Sequence, residues 1–132
     1  DVQTDYAQGQ LERPFVARHR SFINTAYETT DQWKFDFTLN WQSTKRLPST
    51  KDNPTAFQLE AQSPNFFLAN AQISKGWGDT FEIYLGGENL FNFRQTDPII
   101  NSQNPFDDTF DSSLIWGPIF GRNVYVGMRW RL

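Results

Sequence analysis

Trp33-Lys34-Phe35-Asp36-Phe37-Thr38-Leu39-Asn40-Trp41-Gln42 is the stretch on which the fold turns. Trp33, Phe35, Phe37, Leu39 and Trp41 share one parity, and every residue between them is polar. A β-strand sends successive side chains to opposite faces, whereas a helix would scatter this pattern around its axis. The chain is 38% hydrophobic, so unbroken alternation over ten positions should occur by chance in about one window per thousand. The stretch is therefore a strand with one apolar and one polar face.

Other segments repeat the rhythm. Phe81, Ile83 and Leu85 alternate with Glu82, Tyr84 and Gly86. Val124, Val126, Met128, Trp130 and Leu132 alternate with Tyr125, Gly127, Arg129 and Arg131. Phe67, Ala69, Ala71 and Ile73 form a weaker set, and a further strand is expected from about Phe15 to Tyr27 with mixed faces. Five strands are thus readable.

The connections between them alternate in length. Thr29 to Gln32 is tight, Ser43 to about Asn65 is long and polar, Lys75 to Asp79 is short with two glycines, and Asn89 to about Gly121 is very long. Short turns on one side and long loops on the other are the pattern of outer-membrane barrels. Strand dimensions agree. Eight residues separate Trp33 from Trp41, about 26 Å of extended chain, which a tilt of roughly 40° projects to about 20 Å along a barrel axis. A Trp at each end then suits the two membrane interfaces, with Phe and Leu between them. A soluble sandwich also buries one strand face, but has no reason to place Trp at both ends.

Composition removes several classes. The 132 residues hold no stretch near the roughly 18 apolar residues that a spanning helix needs. Cysteine is absent, which excludes disulfides and thiolate metal sites, and the single histidine, His19, has no second histidine to form a cluster. Net charge is −3, and no basic run interleaves with aromatics, so nucleic acid is not an expected partner. Residues 1–10 carry neither the basic nor the apolar region of a signal peptide. No catalytic constellation emerges, and neither enzyme activity nor a cofactor is expected. Asp107, Asp108 and Asp111 lie close together but lack the spacing of a calcium loop, so loop solvation is the expectation.

Three stretches carry a family resemblance: Glu88-Asn89-Leu90-Phe91-Asn92; the loop from Asp97-Pro98-Ile99-Ile100 through Asn104-Pro105-Phe106 and Phe110-Asp111-Ser112-Ser113 into Trp116-Gly117-Pro118-Ile119 and Gly121-Arg122; and the closing Asn123 to Leu132. Together they resemble the end of a TonB-dependent outer-membrane receptor. One departure is Leu132, where the family usually ends in an aromatic residue.

The resemblance implies an all-β, antiparallel transmembrane barrel, with residues 1–132 supplying about the last five of roughly 22 strands. The plug and earlier strands would lie in a missing N-terminal part, which would also be the partner of this segment. Further implied partners are a periplasmic TonB-type coupling protein, outer-membrane lipid and, in some members, a surface lipoprotein. The implied function is energy-dependent import of a scarce ligand across the bacterial outer membrane, a ferric siderophore or other metal chelate first and an oligosaccharide or peptide next. A soluble carbohydrate-binding sandwich and a passive structural barrel are the rivals from other classes.

In this frame Trp33, Phe35, Phe37, Leu39, Trp41, Val124, Val126, Met128, Trp130 and Leu132 should face lipid. Lys34, Asp36, Asn40, Glu82, Tyr84, Arg129 and Arg131 should face the lumen. Candidate ligand contacts are Tyr84 in the lumen and Arg94, Asp97 and Trp116 in the last long loop. Trp116, Phe106 and Phe120 are expected to pack that loop back over the barrel mouth, and Gly86-Gly87 to form a bulge or a point of close approach by the plug.

Overall fold

The computed structural model describes residues 3–7 and 9–131, so Leu132 lies outside the described residues. The chain is all-β, with two antiparallel sheets and, among the described residues, one 3-10 turn at Thr55–Phe57 as its only helical element. The small sheet pairs β1 (Gln3–Tyr6) with β2 (Gly9–Glu12). The large sheet runs in the order β3 (Arg20–Glu28), β4 (Trp33–Gln42), β5 (Phe66–Trp77), β6 (Phe81–Glu88) and β7 (Asn123–Trp130). Neighbours in space are neighbours in sequence, and β3 and β7 are its edges.

Two short turns join strands of the large sheet. At Thr29–Gln32 the amide of Thr29 donates to the carbonyl of Trp33 (2.8 Å), and Gln32 takes a left-handed φ of 63°. The second turn is tighter than the sequence suggests. Strand β5 continues through Lys75 and Gly76 to Trp77, leaving only Gly78 to Thr80 as the link, with Gly78 at φ 61°. Lys75 and Gly76 read as loop by composition, yet Gly76 pairs with Glu82 and donates its amide to the carbonyl of Gln32.

Two more expectations are corrected. The first large-sheet strand begins at Arg20, not Phe15, because Phe15 sits at φ 63° in a turn and cannot extend the strand. Gly86 and Gly87 form no bulge: each has one partner on either side, Gln72 and Tyr125 for Gly86, Ala71 and Val124 for Gly87.

The chain divides into two compact units. One comprises Ser21–Trp41, Phe67–Phe93 and Gly121–Leu132, essentially the large sheet. The other gathers the chain up to Arg20 with Gln42–Phe66 and Arg94–Phe120, the long connections. Of the buried hydrophobic residues, Ala17, Leu47, Phe66, Ile100 and Leu114 belong to this loop unit, and Ala69 alone to the sheet unit.

Candidate functional site

Register decides what each face of the large sheet carries. Ile73 opposes Leu85, which opposes Val126, and Lys75 opposes Ile83, which opposes Met128. Ring contacts extend the same face to β4 and β3: Trp41 meets Phe67 at 6.5 Å, and Tyr27 meets Phe35 at 6.5 Å. The odd residues of β3 to β6 therefore share one face with the even residues of β7, and this face is largely apolar, with Ser21, Thr25 and Lys75 as its polar members. It contains Trp33, Phe35, Phe37, Leu39 and Trp41 of β4 and Val124, Val126, Met128 and Trp130 of β7, as the alternation requires. Among the described residues, nothing covers its β7 edge, where those four side chains are 64% to 74% exposed.

The hairpin end of this face is aromatic. Trp77, Phe81 and Trp130 are successive cross-strand partners, with ring centroids 5.6 and 6.1 Å apart. Trp33 stacks on Phe35 near the same end. The one charged strand residue on this face is Lys75. Its ammonium lies 5.4 Å from the Trp33 ring centre and 5.9 Å from that of Trp77, and donates to the carbonyl of Asp31. A lysine stem along apolar surface with its head among aromatic rings is the geometry of a snorkelling cation.

The opposite face is largely polar, with Phe22, Ala26, Phe66 and Leu68 as apolar members. Lys34 lies 3.9 Å from both Glu28 and Glu82, and Arg129 donates to Glu82 at 3.3 Å, which links charges of alternating sign from β3 to β7. Asn24 donates to Thr38 (2.8 Å) and Tyr125 to Gln72 (3.0 Å).

Two tyrosines on this face are seated on glycines. A Cβ on Gly127 would come 2.3 Å from the Tyr84 hydroxyl, and one on Gly86 would come 2.2 Å from the Tyr125 ring. Each tyrosine lies across the backbone of its cross-strand partner, and the two rings meet edge to face at 6.3 Å. Gly86 is approached closely by Tyr125 and Gly87 by Leu90, both residues of this chain. Tyr84, a candidate ligand contact, is engaged within the sheet itself.

The loop unit is organised by polar side chains. Gln95 is buried; its amide N–H donates to the Leu114 carbonyl (3.1 Å), while its oxygen accepts from the amides of Trp116 (2.9 Å) and Gly117 (3.2 Å). Its own backbone amide donates to Pro118 (2.7 Å). Lys45 is also buried, donating to the Trp116 carbonyl (2.6 Å) with its ammonium 5.1 Å from the Phe66 ring centre. Burial, then the charge of Arg20, lowers the Lys45 pKa. Trp116 rests against Phe66 at 6.1 Å. Neither Gln95 nor Lys45 stands out in the sequence, because a polar residue within a polar loop carries no periodic signal.

The other candidates are dispersed. Arg94 and Asp97 are exposed in the loop unit, Asp97 at φ 48°, while Tyr84 belongs to the sheet unit. Of the rings of Trp116, Phe106 and Phe120, the first rests against Phe66 within the loop unit, whereas Phe106 is fully exposed and Phe120 is 81% exposed.

The carboxylates nearby are used locally. Asp107 accepts from the amide (2.9 Å) and hydroxyl (2.5 Å) of Thr109, and Asp111 accepts both donors of Ser113 at 2.7 Å. The Thr109 hydroxyl, more than its amide, holds the Asp107 carboxyl below its ordinary pKa. Among the described residues no three His, Asp or Glu side chains are grouped to hold a metal ion. Comparison with known proteins adds no relative: no protein-family model, curated protein or solved structure matches this chain.

Proposed function

We propose that the large sheet is part of the wall of a bacterial outer-membrane β-barrel, and that the protein imports a scarce ligand with energy from a TonB-type coupling protein. The observation that carries this reading is the apolar face, continuous over five strands, exposed, and bounded at its hairpin end by an aromatic row with one lysine. Hydrocarbon contact explains why such a face needs no covering sheet. The back, with its linked charges and tyrosines, has the chemistry of a barrel interior. In hydrocarbon the free edges of β3 and β7 would each leave unpaired backbone groups costing several kcal/mol apiece. The proposal therefore requires further strands to pair with both edges, and roughly 22 in all on the family resemblance.

Import, as against a passive wall, is supported by the resemblance of the segments around Asn89, Trp116 and Asn123 to TonB-dependent receptors. A ferric siderophore or other metal chelate is the first ligand class on that resemblance, with an oligosaccharide or peptide next. The loop unit buries a small apolar set together with hydrogen-bonded polar groups, an arrangement that suits an aqueous surface.

Brominated lipids test the membrane reading. Single-cysteine fluorophores at Phe35, Phe37 and Leu39 should be quenched by bromine on acyl chains, and those at Asp36 and Thr38 should not. The opposite pattern would mean that the register is inverted. No quenching at any position, together with cooperative unfolding in buffer without detergent, would favour a soluble sandwich.

A further inference from the structure

The apolar face of the large sheet is not level. Near its middle lies a groove of about 510 Å³, where the cross-strand partners Ala71 and Gly87 are both small. Tyr27, Phe35, Phe37, Ile73 and Leu85 line its sides, and Leu90 lies against Gly87 at the loop end. Its volume falls within the range of about 300–1,000 Å³ that small-molecule sites occupy. Two residues beyond Ile73 on the same face, about 7 Å along β5, stands Lys75.

Lys75 has donors to spare. Of the three N–H groups of its ammonium one goes to the Asp31 carbonyl, and among the described residues it forms no ion pair with a carboxylate. Trp33 and Trp77 flank it, with ring centres 5.4 and 5.9 Å away. Asp31 in the first short turn and Asp79 in the second are exposed, and the two turns meet where Gly78 donates its amide to the Gln32 side chain at 2.8 Å. One cation therefore stands beside carboxylates at the end of an apolar groove.

We propose that this groove and Lys75 hold one phosphatidylethanolamine molecule, with an acyl chain in the groove, the phosphate on Lys75 and the ammonium on Asp31. The inference rests on the membrane reading and names the lipid that this face selects. Indoles belong at head-group depth, which sets the lipid head beside Lys75 and directs its chain toward the groove. Short turns of an outer-membrane barrel are periplasmic, so the lipid comes from the inner leaflet. Phosphatidylglycerol would satisfy Lys75 but bring no cation to the carboxylates. The quaternary ammonium of phosphatidylcholine has no N–H with which to make a charge-assisted hydrogen bond. Lipid A would bring two phosphates to a single strand cation.

The test uses the full-length protein in vesicles, with a fluorophore on Val126→Cys, the cross-strand neighbour of Leu85 beside the groove. In vesicles of brominated phosphatidylcholine alone the label should be quenched. Quenching of a label at Leu39 but not at Val126 would mean that protein covers the groove, and would overturn the proposal. Quenching at neither would overturn the membrane reading beneath it. Brominated phosphatidylethanolamine is then diluted into unbrominated phosphatidylcholine, and its quenching compared with that of brominated phosphatidylcholine at the same dilution. The ethanolamine lipid should show a relative affinity of about ten, the worth of one charge-assisted contact. Asp31→Asn and Lys75→Gln should each bring that ratio near one. Ala71→Phe, which fills the groove and leaves both head-group contacts in place, should lower it as well. Quenching by pure brominated phosphatidylcholine checks that each variant is inserted. A ratio of one in the parent, or a ratio that either head-group variant leaves unchanged, would overturn the proposal while leaving the membrane reading intact.

Discussion

The sheet unit and the loop unit differ in where their apolar side chains go. In the sheet unit the large ones point outward: Val126, Met128 and Trp130 are about 70% exposed, and Ala69 is its only buried hydrophobic residue among those described. The loop unit encloses Leu47, Phe66, Ile100 and Leu114 together with the polar Lys45, Thr50, Ser63 and Gln95, and each of those four polar residues has hydrogen-bond partners. A polar group is buried cheaply only when its bonds are remade inside, and an apolar face is left open cheaply only when its surroundings are not water. On the proposed membrane reading, the open apolar face of the sheet unit meets hydrocarbon and the loop unit meets water.

The sharpest way to break that contrast is to place a charge on the open face. In the membrane reading Met128→Arg should destabilise the folded protein by about 2–4 kcal/mol, as for a mid-membrane lipid-facing position. Arg129→Gln, one residue along and on the polar face, should change stability by about 0.5 kcal/mol or less. Heat-modifiable mobility of the two variants in outer membranes measures the difference. On an ordinary wet surface Met128→Arg would be harmless, since its side chain is 73% exposed, and that outcome would remove the case for lipid contact.

The loop unit is tested from its interior. Gln95→Leu keeps volume but strips partners from the Leu114 carbonyl and the Trp116 and Gly117 amides. A cost of about 2 kcal/mol is expected, because buried groups without partners each carry a desolvation penalty. Hydrogen exchange at Trp116 and Gly117 should accelerate while the sheet amides stay protected. Unchanged exchange would mean that these amides do not depend on Gln95.

What the sequence disclosed follows the same division. Strands β4, β6 and β7 were legible because one face is apolar without interruption, a signal that needs no knowledge of partners. The end of β5 was not, since Lys75-Gly76-Trp77 reads as a turn until register places Lys75 between two indoles. The hairpin of β1 and β2 was hidden as well, for Gln3–Tyr6 and Gly9–Glu12 show no apolar alternation. In the loop unit almost nothing was legible. Gln95 and Lys45 act through partners about 20 and 71 residues away, and sequence spacing does not report such contacts.

Smaller effects sharpen the picture of the polar face. Gly127→Ala would push a methyl against Tyr84 and displace its ring from the cross-strand seat. The expected cost is about 1 kcal/mol, at the low end for overpacking, because the methyl meets the outer end of the Tyr84 side chain, which can swing away. Tyr84→Ala should relieve the clash, so the double variant should be more stable than the sum of the single changes predicts. Additive losses would show that the ring does not sit on that glycine.

The smallest effect concerns a charge in the loop unit. Asp107 is fully exposed, so its depressed pKa comes from the donors of Thr109 and not from burial. A carboxyl held below its unfolded value of about 3.9 contributes stability that is present above that value and is lost as pH falls through the folded pKa. Acid should therefore loosen the Asp107–Thr109 turn only below about pH 4. Thr109→Val removes the hydroxyl, the larger of the two donors, and leaves the backbone amide. The Asp107 pKa should then rise toward the ordinary carboxylate value without reaching it, as followed by NMR titration of its side-chain carboxyl carbon. A titration unchanged by the substitution would mean that the hydroxyl does not hold the charge. The paired carboxylates would then be ordinary solvated groups, and local hydrogen bonding would order less of the loop unit than its interior suggests.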